Sequence, residues 1–127
     1  MKIHHLGIAC LSIEKTIKYL ENIFPNITFK DILYDPIQNA YLTISDKYDG
    51  MRFELIQGEK IEKFVSKNVP LYHICFEVQD IEKEVNFLKK EGGIIISNPV
   101  PAILFNGRKV SFIYTDIGIV ELLEAKN

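Results

Sequence analysis

Four residues of this 127-residue chain have the types and the spacing to hold a metal ion: His5, Glu54, His73 and Glu121. They occur as a repeated pair. His5 opens the run His5-Leu6-Gly7-Ile8-Ala9-Cys10-Leu11-Ser12-Ile13-Glu14-Lys15, and His73 opens a matching run, His73-Ile74-Cys75-Phe76-Glu77-Val78-Gln79-Asp80-Ile81-Glu82-Lys83. Each histidine is followed, at nearly the same distance, by one acid inside an apolar run: Arg52-Phe53-Glu54-Leu55-Ile56 and Ile119-Val120-Glu121-Leu122-Leu123. Taken singly, each of the four is more often an ordinary core or surface residue; the recurrence carries the argument. A carboxylate among large aliphatics is costly to bury without a compensating partner, and this chain makes that placement twice. Two imidazoles and two carboxylates suit a borderline divalent ion such as Ni²⁺, Co²⁺, Zn²⁺, Fe²⁺ or Mn²⁺. Four protein ligands would leave one or two positions of a five- or six-coordinate ion open to substrate or water.

The elements that must position these residues also come twice. Residues 3–10 predict a strand. Ser12 then caps a helix whose apolar face is Ile13, Ile17, Leu20 and Phe24, ended by Pro25-Asn26. Residues 27–34, 40–45 and 51–57 predict three strands, with Asp49-Gly50 as a hairpin turn. In the second half residues 71–78 predict a strand. Asp80 caps a helix facing inward through Ile81, Val85 and Leu88 and closed by Gly92-Gly93. Residues 94–97, 109–114 and 119–124 supply three further strands. Ile61, Phe64 and Val65 give the intervening segment a short helical character. The organisation is therefore module 1–58, linker 59–69 and module 70–127 within one domain. Neither module covers both faces of its own sheet, so the modules must pair, within the chain or across a dimer.

Strand alternation fixes the companions of each ligand. Gly7 and Ala9 share the face of His5, both small enough not to obstruct a cavity. Arg52 and Ile56 accompany Glu54; Cys75 and Glu77 accompany His73; Ile119 and Leu123 accompany Glu121. Cys75 reads as a small buried hydrophobe and Glu77 as a cavity rim or solvated strand end. Arg52, Arg108 and Lys109 read as surface charges, with an anion-holding role as the functional alternative. His4 faces away from His5, has Tyr72 at its counterpart, and reads as structural.

Bulk properties exclude several function classes. A net charge of −2 gives no electrostatic reason for nucleic acid or an anionic membrane as partner. No run approaches the length of a membrane span, and Lys2 leads directly into strand-like sequence without a signal peptide. Cys10 and Cys75 do not make a disulfide framework, so reduced thiols and a cytoplasmic location are expected.

Paired strand–helix–three-strand modules with this ligand placement resemble the vicinal oxygen chelate superfamily, also called the glyoxalase/bleomycin-resistance/dioxygenase superfamily, over nearly the whole chain. The resemblance implies an α+β, glyoxalase-like fold in which two tandem βαβββ modules form a cupped eight-stranded mixed sheet around a metal. Its ligand places fall on His5, Glu54, His73 and Glu121, and a homodimer is implied by the family pattern. A His, Glu, His, Glu set is similar to that of short bacterial glyoxalase I (lactoylglutathione lyase) enzymes, which usually prefer nickel or cobalt over zinc. A lyase acting on the hemithioacetal of a 2-oxoaldehyde and a thiol is therefore the leading expectation.

Methylmalonyl-CoA epimerase, acting on an acyl-CoA, is the alternative. His5-Leu6-Gly7-Ile8-Ala9 and Gly107-Arg108-Lys109-Val110-Ser111-Phe112 read like epimerase segments. Epimerases usually carry glutamine at the position of Glu54, have His-Pro where Tyr114-Thr115 stands, and use an additional catalytic glutamate for which only Asp35 lies near. The glyoxalase turn Asp-Pro-Asp-Gly is only partly kept in Thr115-Asp116-Ile117-Gly118. A drug-sequestering protein of the bleomycin-resistance type is the non-enzyme alternative; it would not need the four ligands. Ring-cleaving dioxygenases need more histidines than His4, His5 and His73 provide. Both leading chemistries remove a proton from carbon next to a carbonyl, and the resemblance points to Glu121 as the mobile base with Glu54 second.

Overall fold

The computed structural model describes residues 1–127 and divides into two compact units. One spans His5–Tyr72; the other joins Met1–His4 to His73–Asn127. The class is the α+β arrangement expected, a strand, a helix and three strands given twice.

In the first unit the His5–Ala9 part of β1 (Lys2–Ala9) is followed by α1 (Ile13–Ile23), β2 (Leu33–Asp35), β3 (Ala40–Ile44) and β4 (Arg52–Gln57). The strand order is β2-β3-β4-β1, with β1 parallel to β4 and the other pairs antiparallel. The Ser12 hydroxyl accepts from the Lys15 amide, and Gln57 Oε1 of β4 accepts from the Ile13 amide at 2.9 Å, so two of the orphan donors of α1 are satisfied. Ile13 and Leu20 bury their side chains with Cys10 and Leu55, and Ile17, Phe24 and Phe29 close the margin. At Asp49-Gly50 both residues have positive φ, 49° and 84°, and Tyr48 bridges Met51, the geometry of a tight hairpin turn.

The second unit repeats the plan with β5 (Leu71–Val78) from His73 on, α3 (Ile81–Lys90), β6 (Ile94–Pro101), β7 (Lys109–Thr115) and β8 (Gly118–Glu124) in the order β5-β8-β7-β6. Asp80 accepts from the Lys83 amide at the start of α3. Ile81 and Val85 pack on Val78, Ile113, Val120 and Leu122. Gly93 is required by space: a Cβ there would lie 2.8 Å from the Leu88 carbonyl oxygen and 2.9 Å from Ile113 Cγ2. The segment between the modules is helical, a 3₁₀ turn at Glu59–Ile61 running into α2 (Glu62–Ser66).

Two strands differ from the sequence reading. Residues 27–34 do not form one strand; only Phe29 bridges Ser45, and β2 begins at Leu33. The Thr43 hydroxyl takes the Lys30 carbonyl at 2.6 Å, a bond that a regular ladder would give to a backbone N–H. β6 runs on through Pro99 and Pro101 with two register shifts. As the outer strand of its unit's order it tolerates the missing N–H groups, and Ser97 mends the irregularity, its carbonyl accepting from Ser111 and its hydroxyl from the Phe112 amide.

Candidate metal centre

In the His5–Tyr72 unit the parallel register of β1 and β4 sets His5 beside Arg52 and Gly7 beside Glu54. Phe53 stacks on Phe24 of the helix side at 5.5 Å. By alternation Arg52, Glu54 and Ile56 therefore face away from α1, together with His5, Gly7 and Ala9. Gly7 has no side chain to stand between Glu54 and His5. The carboxylate crosses diagonally, and His5 Nε2 lies 3.6 Å from Glu54 Oε1, with both side chains withdrawn from solvent.

The other unit builds the same diagonal. β5 and β8 pair Cys75 with Glu121 and His73 with Ile119. His73 Nε2 lies 3.2 Å from Glu121 Oε1, again in a buried position. Here Cys75, fully buried and compact, occupies the place that Gly7 holds in the first unit. Phe112 of β7 is the register partner of Glu121, and its ring meets the His73 imidazole edge-on at 5.3 Å and 87°. Phe112 was not anticipated as part of the site. The alternation Val110, Phe112, Tyr114 carried the signal, but its meaning depends on the register between β7 and β8.

Each unit thus presents an imidazole nitrogen and a carboxylate oxygen in space that water does not reach. That is the mixed N and O donor chemistry a borderline divalent ion takes. An ionised carboxylate so deeply buried costs several kcal/mol unless compensated, and each has an imidazole within 4 Å.

The remaining candidates separate. Arg108 is not a surface charge: its guanidinium donates to Glu77 and, through Nε, to the Glu124 carbonyl at 2.7 Å. Glu77 is accordingly neither a free rim carboxylate nor a solvated strand end. Lys109 is exposed, whereas Arg52 is half-buried on the face of His5 and Glu54. Asp35 is buried and holds a turn, accepting from the amides of Ile37 and Gln38 and from Gln38 Nε2. Its oxygens are engaged in local bonds, so the place where an additional acid was sought holds a structural aspartate. His4 packs edge-on against Phe105 at 5.5 Å, in keeping with a structural role. Burial raises the Cys10 thiol pKa, outweighing its hydrogen bonds to Thr16 and the Ile56 backbone. No helix is long and apolar enough to cross a membrane.

A Dictyostelium discoideum protein named as mitochondrial methylmalonyl-CoA epimerase is 29% identical over 133 aligned positions, covering 98% of this chain and 78% of that protein. Among solved structures, a hypothetical protein of Bacillus halodurans C-125 superposes with a TM-score of 0.82 at 25% identity, covering 99% of this chain and 95% of that one. A Streptomyces coelicolor methylmalonyl-CoA epimerase in complex with 2-nitronate-propionyl-CoA superposes with a TM-score of 0.80 at 18% identity, covering 100% and 99%. The named relatives are thus epimerases rather than the lyases that the four-ligand set suggested. A family profile matches residues 4–112. The chain belongs to the Glyoxalase/Bleomycin resistance protein/Dioxygenase superfamily.

Proposed function

We propose that this chain is a divalent-metal-dependent epimerase that moves a proton at the carbon next to the carbonyl of an acyl-CoA thioester. The observation that carries the proposal is one buried imidazole–carboxylate pair per unit in a chain matching an epimerase over 98% of its length. His5, Glu54, His73 and Glu121 would hold the ion jointly, by the family resemblance. A cation there supplies positive charge beside the carbonyl oxygen as negative charge develops on it, an effect worth several kcal/mol.

The chain's own residues do the rest. A Glu121 carboxylate oxygen accepts the α-proton, while the C–H electron pair moves into the thioester carbonyl. A proton returned to the opposite face of the carbon inverts its configuration; Glu54 is the second carboxylate we propose for that delivery. Phe112 keeps the His73 ring edge-on and fills the space beside Glu121, so water does not compete for the pair. Burial raises the strength of every electrostatic contact made there.

A lyase acting on a thiol hemithioacetal is the second proposal, favoured by one residue: Glu54 stands where the epimerase pattern usually has glutamine. One experiment separates the two. Protein stripped with a chelator and reloaded with Ni²⁺, Co²⁺ or Zn²⁺ is offered methylmalonyl-CoA in D₂O and, separately, a methylglyoxal–thiol adduct. Deuterium incorporation into the CoA ester, restored by metal, is expected. Turnover of the adduct alone would replace the epimerase with the lyase, and activity indifferent to metal would remove both.

A further inference from the structure

We propose that the helix-covered side of the second unit holds a binding pocket for a small amphiphilic cation, an apolar body ending in an ammonium group. The pocket lies apart from the His73–Glu121 pair, and its assignment does not depend on the epimerase reading. Its basis is a cavity of about 330 Å³ between the end of α3 and the sheet. That volume falls within the roughly 300–1,000 Å³ of small-molecule sites. Phe76 of β5 and Val120 of β8 form its floor, and Leu88 of α3 forms a wall. Val120 and Glu121 are consecutive on β8, so their side chains leave opposite faces. An occupant therefore packs on the back of the strand that carries Glu121.

The lining decides the body of the ligand. Besides its apolar floor, the cavity is bordered by Ile117 in the turn between β7 and β8. At 72% exposure Ile117 is the most exposed large hydrophobic residue of the chain. An aliphatic group held in water beside a cavity gains by being covered. The turn that carries it is ordered beforehand. The Thr115 hydroxyl donates to the Gly118 carbonyl at 2.8 Å and accepts from the Ile117 amide at 3.2 Å. A wall fixed before binding lowers the entropy that an occupant must offset.

Charge decides the head group. The two ionisable side chains that line the cavity, Glu91 and Asp116, are both acids. Both are exposed, and neither carboxylate is engaged by a hydrogen bond or ion pair of the chain. Glu91 caps the C-terminus of α3, where the partial negative charge of the helix backbone also favours a cation. Lys89 and Lys90 of that last turn are not among the lining residues. Met1 also borders the cavity, and its single α-ammonium is outnumbered by the two acids. An anionic head would meet two carboxylates with no side-chain cation to answer them. An ammonium brings three donors on one compact charge, which suits acids on two sides of one cavity.

Probes with one body and different heads test the assignment: n-hexylamine, n-hexanol and n-hexanoate, titrated into the full chain at neutral pH and followed by backbone amide chemical shifts. Hexylammonium is expected to bind saturably and to shift the amides of Gly93, Ile117 and Val120. Its affinity should exceed that of hexanol about 3- to 10-fold, the scale of a charge-assisted contact in a partly solvated place, with hexanoate weakest. Glu91→Gln combined with Asp116→Asn, both at exposed positions, is expected to bring the ammonium down to the alcohol and leave hexanol binding unchanged. Hexanoate binding as tightly as hexylammonium, or a preference for the ammonium that survives the paired substitution, would overturn the proposal. So would shifts confined to other amides, or the absence of saturable binding.

Discussion

The two units of this chain keep one chemical pair and differ in what surrounds it. In both, a histidine on the first strand and a glutamate on the last meet across a diagonal, at 3.6 Å in one and 3.2 Å in the other. In both the residue beside the glutamate is small, Gly7 or Cys75, because a bulky side chain there would block the diagonal. Beyond that the faces diverge. The His5–Glu54 pair has a half-buried arginine in register with its imidazole. The His73–Glu121 pair has an aromatic ring against its imidazole, and its nearby arginine is spent on Glu77. Duplication preserved the donor atoms, whose geometry tolerates little change, and left the flanks to specialise: charge on one side, an apolar wall on the other.

The sharpest way to break this comparison is to remove one carboxylate at a time. Glu121→Gln is expected to lower metal-dependent α-exchange about 10²- to 10⁴-fold, the worth of a positioned proton-transfer group. Glu54→Gln is expected to cost about 10- to 100-fold, through weakened metal affinity more than lost proton transfer. Deuterium wash-in on both variants at limiting and at saturating metal reads the difference, the E54Q loss shrinking as the metal saturates while the E121Q loss persists. A larger loss in E54Q would move the principal base to the other unit.

Next in size are the helix-side cores, where the units are alike. Leu55 and Leu122 follow Glu54 and Glu121 directly, and each is fully buried against its own helix cluster. Leu55→Ala and Leu122→Ala should each lower unfolding free energy by about 2–5 kcal/mol, measured by denaturant titration. A cost below about 1 kcal/mol at either would mean that its unit repacks, and that the likeness of the cores is superficial.

Arg108→Met isolates a feature of the second unit alone. It removes two donors from Glu77 and the Glu124 carbonyl in a partly exposed place. The expected loss is about 1–2 kcal/mol in thermal or chemical unfolding, discounted for solvent screening. α-Exchange per folded molecule should change far less than in E121Q. A collapse of activity at unchanged stability would place this ion pair in the catalytic machinery instead.

The smallest difference expected is between the caps. Ser12→Ala and Asp80→Ala each delete a side-chain acceptor to the third residue of a helix. Each should cost about 0.5–2 kcal/mol, and D80A is expected to exceed S12A. The first turn of α1 retains a second acceptor, Gln57 Oε1 on the Ile13 amide, and Asp80 also sets a negative charge at its helix N-terminus. The reverse order in paired melts would show that the Gln57 bond contributes little.

Much of this molecule is written in its sequence because the relevant signals are local. The i, i+4 spacing of Ile13, Ile17, Leu20 and Phe24 makes a helix wherever that face can be buried. Ser12 and Asp80 start helices because they satisfy amides within one turn. Period-two alternation told which residues accompany each histidine, and the duplication marked His5, Glu54, His73 and Glu121 before any fold was known. The extent of β2 and β6 was not legible in the same way. Phe29 and Lys30 look like strand residues, yet they pair with the neighbouring strand only through an isolated bridge, a few backbone bonds and the Thr43 hydroxyl. Pro99 and Pro101 look like strand breakers, yet an outer strand does not need their amides.

What the sequence determined alone was therefore the elements, the donor types and the face each donor shares, since these depend on chain-neighbour sterics and hydrogen bonds. What tertiary structure decided was register: which residues stand side by side on different strands. Register set Arg52 next to His5 and Phe112 next to Glu121, and gave Arg108 to Glu77. Arg52 and Arg108, which read alike in sequence, thereby acquired different surroundings, because a charge acts on what lies within a few ångströms of it, and strand pairing brings those groups together across long stretches of chain.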